Sequence, residues 1–253
     1  MSSSADDDVE LPFISHLAEL RDRLLRAIMA VLLVLIALIP FAGDIYTRLA
    51  TPLIAKLPAG SQMIAIDLAA PFFTPLKLVF LVAVVITAPW ILYQVWAFVA
   101  PGLYSHEKKM VLPLVISSTI LFLIGVAFVY FIVIPGLAGF IQAVAPESIT
   151  AAPDVEEYFG FVLTLFFVFG IAFEVPIAVI VLVRIGVVTI EQLKKARGYF
   201  IVGAFIVAAI VTPPDVISQL SLAIPMCLLY EGGIIAARLF VKHTKAPEGA
   251  TEA

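Results

Sequence analysis

The chain has 253 residues, of which 62% are hydrophobic and 13% charged, with a formal net charge of −4. Soluble domains carry about 25% charged residues, so this composition excludes an ordinary water-soluble globule and points to a bilayer as solvent. One cysteine, Cys227, excludes an intrachain disulfide and a thiolate metal cluster.

The chain opens on an acidic tail, Asp6-Asp7-Asp8, unlike a cleaved signal peptide, which begins with basic residues. Residues 13–26 are expected to form an amphipathic helix. At about 100° per residue, Phe13, Leu17, Leu20 and Leu24 share one face, and His16, Glu19 and Arg23 form a neighbouring polar stripe close to Arg26. Two readings of Glu19 stand side by side. It is one half of a surface i,i+4 pair with Arg23, worth about 0.2–0.5 kcal/mol, or it accepts a cationic partner.

A spanning helix needs about 20 apolar residues. Segments 27–43, 76–100, 111–134 and 158–185 meet this length, and two shorter ones, 198–211 and 216–230, are joined by Thr212-Pro213-Pro214-Asp215. A helix of about 15 residues covers roughly 22 Å against about 30 Å of hydrocarbon. The last two spans are therefore expected to be short, with a thinned membrane and a hydrated dent at the Pro-Pro turn. Two connections, 44–74 and 135–157, lie on one side. The first, with Pro52, Pro58 and Pro71, reads as a connector at the interface or as a rigid cap. Pro89, Pro113, Pro176 and Pro225 fall within or at the ends of spans and are expected to bend them into a concave wall.

The expected fold class is thus all-α, a polytopic membrane protein of six helices. Of its Lys and Arg residues, all but Arg48, Lys56 and Lys77 fall on one side of that topology. The positive-inside rule then puts both termini in the cytoplasm. The expected organisation is a cytoplasmic tail and amphipathic helix at 1–26, a transmembrane domain at 27–238 and a cytoplasmic tail at 239–253.

Glu107 lies in the loop Tyr104-Ser105-His106-Glu107-Lys108-Lys109, on the same side as Glu19. Alone it reads as a solvated loop charge. Taken with Glu19, each carboxylate could hold one guanidinium in a charge-assisted pair. Glu174 sits in the middle of the apolar run 158–186, where a carboxylate is costly and should face protein, water or a partner. It reads as a structural carboxylate, a proton relay or a polar lining. Thr212, Asp215 and Gln219 cluster at the Pro-Pro turn, either as helix caps or as polar contacts to another transmembrane helix. No catalytic residue, metal site or cofactor is expected. The histidines (His16, His106 and His243) all lie at the basic edge, and neither a His-Glu-x-x-His run nor a phosphate loop is present. Nucleic-acid binding is not expected either.

Several motifs, in this order, carry a resemblance. They are His16-Leu17-Ala18-Glu19-Leu20-Arg21-Asp22-Arg23, Pro71-Phe72-Phe73-Thr74-Pro75, Tyr93-Gln94-Val95-Trp96-Ala97-Phe98 and Ala100-Pro101-Gly102-Leu103-Tyr104. His106-Glu107-Lys108-Lys109, Phe173-Glu174-Val175-Pro176 and Thr212-Pro213-Pro214-Asp215 complete the set. From about residue 13 to 238 the chain resembles the TatC family, the multispanning core of the twin-arginine protein translocase. The resemblance implies an inner-membrane receptor for folded precursors with paired arginines in their signal peptides, drawing on the proton-motive force. It implies that Glu19 and Glu107 hold the arginine pair, with Arg21 and Phe98 nearby, and that Glu174 lines a concave hydrated face. It further implies that Thr212 and Gln219, beside Asp215, dock single-span partners of the TatA and TatB type. Pro52 matches a sensitive position of the outer loop, and several copies are implied in the working complex. Read without the resemblance, the alternatives are a proton-coupled small-solute transporter with Glu174 as relay, or a passive scaffold.

Overall fold

The computed structural model describes residues 7–54, 63–103, 111–144, 152–212 and 216–240, so Glu107 and Asp215 lie outside the described residues. The expected amphipathic helix and first span are one rod, α1 (Asp7–Leu38). From Phe13 onward it contains no proline or glycine until Pro40, which enforces a 3₁₀ turn at Ile39–Phe41. The outer connections hold more structure than expected. Segment 44–74 begins inside α2 (Ala42–Ile54), and segment 135–157 begins inside α5 (Ile134–Val144). The third helix, α3 (Ala70–Leu103), runs for 34 residues. Pro71 and Pro75 fall in its first turns, where missing amide donors cost little. Next comes α4 (Val111–Phe128), which passes through a π turn at Val129–Val133 into α5.

The run expected as one span at 158–185 is two helices, α6 (Val155–Ala172) and α7 (Val175–Arg184), broken at Phe173-Glu174. Pro176 in the first turn of α7 cannot donate to the preceding turn, which explains the break. The short α8 (Ile190–Lys195) begins with a capping box, in which the Thr189 amide donates to Gln192 Oε1 at 2.8 Å and the Gln192 amide to Thr189 Oγ1 at 3.2 Å. Helix α9 (Arg197–Val211) has 15 residues, as short as expected. The last helix is not short: α10 (Val216–Phe240) has 25 residues, because it continues past Tyr230 through Glu231 with Pro225 inside it. Polar Glu231 ends the apolar stretch but not the helix, since glutamate favours helix, and Arg197 donates to its carboxylate at 2.6 Å. Five helical stretches are long and apolar enough to cross a membrane, and Arg197–Val211 is a shorter apolar one. Among the described residues no strand forms. An isolated parallel bridge joins Ile64 and Asp154.

Two helices organise the bundle. The long α3 packs against α1, α2, α4 and α6, and α10 packs against α7 and α9. The main core gathers Phe166, Phe169 and Leu165 of α6 with Leu222 of α10 and the small Ala204 and Ala208 of α9. On α1 the sides are inverted relative to a soluble helix. Leu17, Leu20 and Leu24 are exposed, whereas Glu19, Arg23 and Ala27, each one turn further on, face the protein. With lipid as solvent, apolar side chains gain nothing by leaving the surface, and polar ones turn to each other.

Helices α7 and α10 approach closely at Gly233, where a β-carbon would stand 2.9 Å from Pro176 Cα and 3.2 Å from Val179 Cβ. The neighbouring Gly232 has open space around it. Gly233→Val is expected to cost about 1–3 kcal/mol by overpacking against backbone that cannot yield, and Gly232→Val much less. Thermal unfolding of the two variants in detergent checks this, and equal midpoints would remove the close approach as a determinant.

Candidate functional site

At the basic end of the bundle, α1 and α3 bring five polar or aromatic side chains together. Arg23 donates from Nε and Nη2 to the same Glu19 oxygen, Oε1, at 2.8 and 2.6 Å. Its Nη1 reaches Gln94 Oε1 on α3 at 3.5 Å. The other carboxylate oxygen, Oε2, lies 3.8 Å from His16 Nδ1, one turn back on α1. The His16 ring in turn lies flat on Phe98, with centroids 4.2 Å apart and planes 13° from parallel. Gln94 and Phe98 are spaced i,i+4, so one face of α3 presents both to α1. Beside them Ser15, Ala18, Glu19, Asp22, Arg23 and Arg26 line an open depression of about 430 Å³.

The expected i,i+4 pair of Glu19 and Arg23 is therefore formed, and it leaves one oxygen of Glu19 without a hydrogen bond among the described residues. Phe98 joins Glu19 through His16, as one cluster. Arg21 does not: it turns outward and donates from Nε and Nη2 to Asp22 Oδ1 at 2.9 and 2.8 Å. Gln94 is a further member of the site, and the sequence carries a signal for it. An amide inside the apolar run 76–100 needs a partner in lipid, and here it is buried and bonded to Arg23.

A second polar centre lies at the break between α6 and α7. Glu174 occupies the N-cap position of α7 but makes no side-chain cap bond. Both its carboxylate oxygens are buried, with no hydrogen-bond partner among the described residues. The Ser118 hydroxyl of α4 lies close by and accepts from Trp96 Nε1 of α3 at 2.8 Å. With its oxygen so engaged, Ser118 keeps its own proton to turn towards Glu174. Since Trp96 lies midway between Gln94 and Phe98 in sequence, α3 shows one face to the Glu19 cluster and another to the Glu174 centre.

Thr212 and Gln219 are both tied to the end of α9. Buried Thr212 donates from Oγ1 to the Ala208 carbonyl at 2.8 Å, and Gln219 Nε2 donates to the Phe205 carbonyl at 3.2 Å. Both bonds add a side-chain donor near the end of α9, where the Ala208 carbonyl also accepts the Thr212 amide at 2.9 Å. At the end of the bundle opposite Glu19, Pro52 falls in the last turn of α2. There the chain before α3 is clamped to the start of α6. The Ile64 amide donates to the Pro153 carbonyl at 3.1 Å, the Val155 amide to the Ile64 carbonyl at 2.8 Å, and Lys77 Nζ to Glu156 at 2.5 Å. Tyr130 in the π turn donates to the Arg48 carbonyl of α2 at 3.0 Å.

The family described as "Sec-independent protein translocase protein (TatC)" matches residues 15–225. A relative of that description from Halothiobacillus neapolitanus is 52% identical over 241 residues, covering 95% of this chain and 66% of the relative. One from Escherichia coli K12 is 51% identical over 230 residues, covering 91% of this chain and 89% of the relative. A crystal structure described as the twin-arginine translocase receptor TatC superposes with a TM-score of 0.78 at 42% identity, covering 88% of this chain and 98% of that one.

Proposed function

Since the chain belongs to the TatC family of Sec-independent protein translocases, we propose that it is the subunit that receives precursors with paired signal-peptide arginines, through Glu19 and Glu107. As a family member it is a non-enzymatic, multi-pass inner-membrane component of the twin-arginine system. Membership displaces the small-solute transporter as a reading of the whole chain.

The observation that supports the receptor role most directly is the Glu19 cluster. A carboxylate at the basic end has, among the described residues, one oxygen without a hydrogen bond beside a stacked aromatic pair. Guanidinium groups favour that combination of anion and flat ring. Glu107, from the loop after α3, supplies the second acceptor, with Arg21 at the rim of the recognition surface. In this reading both termini are cytoplasmic, with tails at 1–26 and 239–253 around the transmembrane domain at 27–238. The apolar part of the signal peptide then enters near Glu174. Single-span partners of the TatA and TatB type dock along α9 and α10 at Thr212, Asp215 and Gln219, and Pro52 belongs to a cap on the outer face. Folded cargo moves at the expense of the proton-motive force, through an assembly holding several copies of this chain.

Site-specific photocrosslinking from position 107 tests the receptor role. A precursor with paired arginines should crosslink, and one with paired glutamines should not. Equal yields from both precursors would count against an arginine acceptor at this loop.

A further inference from the structure

Among the described residues, the Glu19 carboxylate is hydrogen-bonded on one side only. Arg23 places two donors on Oε1, at 2.8 and 2.6 Å, and its third nitrogen is steadied by buried Gln94. Oε2 has His16 Nδ1 at 3.8 Å, outside hydrogen-bond range. This division has a consequence for selectivity. A free carboxylate prefers arginine to lysine because both its oxygens meet the guanidinium fork. With Oε1 taken, a single oxygen remains, and one oxygen accepts an ammonium as readily as one guanidinium N–H. Glu19 can attract a cation, but by itself it cannot tell which cation it has.

A flat surface next to Oε2 can make that distinction, and His16 is one. Its imidazole lies parallel to Phe98, so one face is covered by the benzene ring. The side chain is nevertheless 50% exposed, which leaves the other face accessible. The ring edge points at the open oxygen, so a plane laid on that face can reach Oε2 with an N–H. A guanidinium is planar, delocalised and weakly hydrated, and it stacks on such a face. A lysine ammonium is tetrahedral and strongly hydrated, and gains much less there.

We infer that His16, backed by Phe98, is the residue that selects arginine over lysine at this site, while Glu19 supplies attraction common to both. The inference rests on Glu19 being an acceptor for a signal-peptide arginine. Arg23 and Gln94 act as positioning residues, holding Oε1 out of use so that the ring decides.

The test uses the full chain purified from membranes with its associated subunits. Binding of a labelled twin-arginine peptide is compared with that of its twin-lysine counterpart. The unaltered chain should favour arginine, and His16→Leu should reduce the arginine-to-lysine affinity ratio about five- to tenfold, leaving lysine-peptide affinity in place. His16→Phe, which keeps a flat ring, should retain the ratio and shows that the site still folds. If His16→Leu leaves the ratio intact, or lowers both affinities equally, while Glu19→Gln abolishes arginine binding, the selector role is wrong and the acceptor role stands. If Glu19→Gln leaves both peptides bound as before, the acceptor role fails and the inference falls with it.

Discussion

Replacing Glu19 by glutamine is expected to weaken binding of a twin-arginine peptide by about tenfold to a hundredfold, and binding of a twin-glutamine control hardly at all. A hydrogen bond to a charged group contributes about 1.5–3 kcal/mol, and each 1.4 kcal/mol is a factor of about ten in affinity. Glutamine keeps the size and one carbonyl oxygen, so what is lost is charge. The loss will not come from unfolding. The Glu19–Arg23 pair is partly exposed, with side chains 37% and 19% accessible, and i,i+4 pairs of this kind contribute only about 0.3–0.5 kcal/mol. Arg23 also retains Gln94 as a partner. Fluorescence titration of labelled peptides against the purified complex measures the effect. If the twin-arginine and twin-glutamine peptides lose affinity in parallel, charge recognition at Glu19 is ruled out.

Glu174→Leu is expected to move stability and function in opposite directions. A buried polar group without a partner costs about 1–3 kcal/mol, more when charged, and among the described residues neither Glu174 oxygen has a hydrogen-bond partner. The side chain does not cap α7 either, so its removal breaks no helix-end bond. Leucine should therefore raise the unfolding midpoint in detergent by several degrees, at about 2–4 °C per kcal/mol for a chain of this size. Export of a twin-arginine precursor should fall about tenfold, as expected for one lost charge-assisted contact. Gains in stability at the expense of activity are the usual sign of a residue retained for function. A variant that is less stable than the parent would make Glu174 structural. One that is more stable yet exports normally would leave the carboxylate without a part in transport. Glu174→Gln separates the remaining cases, because it keeps hydrogen bonding with Ser118 within reach and removes the charge.

The two centres share α3. Gln94 and Phe98 face α1, and Trp96 between them donates to Ser118 beside Glu174. The motif Tyr93-Gln94-Val95-Trp96-Ala97-Phe98 thus encodes two contact faces on one helix. Alternation at two-residue spacing places Trp96 about 200° from both neighbours, since each residue turns the helix by about 100°.

Much of this protein is legible in its sequence. The apolar run lengths identify the spanning regions, the placement of Lys and Arg separates the two ends, and the short α9 follows from a count of residues. Glu19 and Glu174 stand out because charge in or near lipid is expensive wherever it occurs. Run length could not locate the ends of helices. Glu231 stops the apolar pattern yet continues α10, because glutamate is itself a good helix former, and Arg197, 34 positions earlier, meets its carboxylate. Nor could it show that 44–74 and 135–157 hold helices, since α2 packs against α3 and α5, and α5 against α2 and the π turn before it.

Sequence by itself determined that this chain lives in a membrane, which residues cross it and which carboxylates are out of place there, because the cost of each group in lipid is a local property. Only the tertiary structure decided how those carboxylates are used. It turned the polar stripe of α1 inward against α3, gave one Glu19 oxygen to Arg23 and left the other beside the His16–Phe98 stack, and enclosed Glu174 next to a serine already bonded to tryptophan. Partnership depends on which atoms meet within about 3 Å across helices distant in sequence, and no run of residues along one chain segment contains that distance.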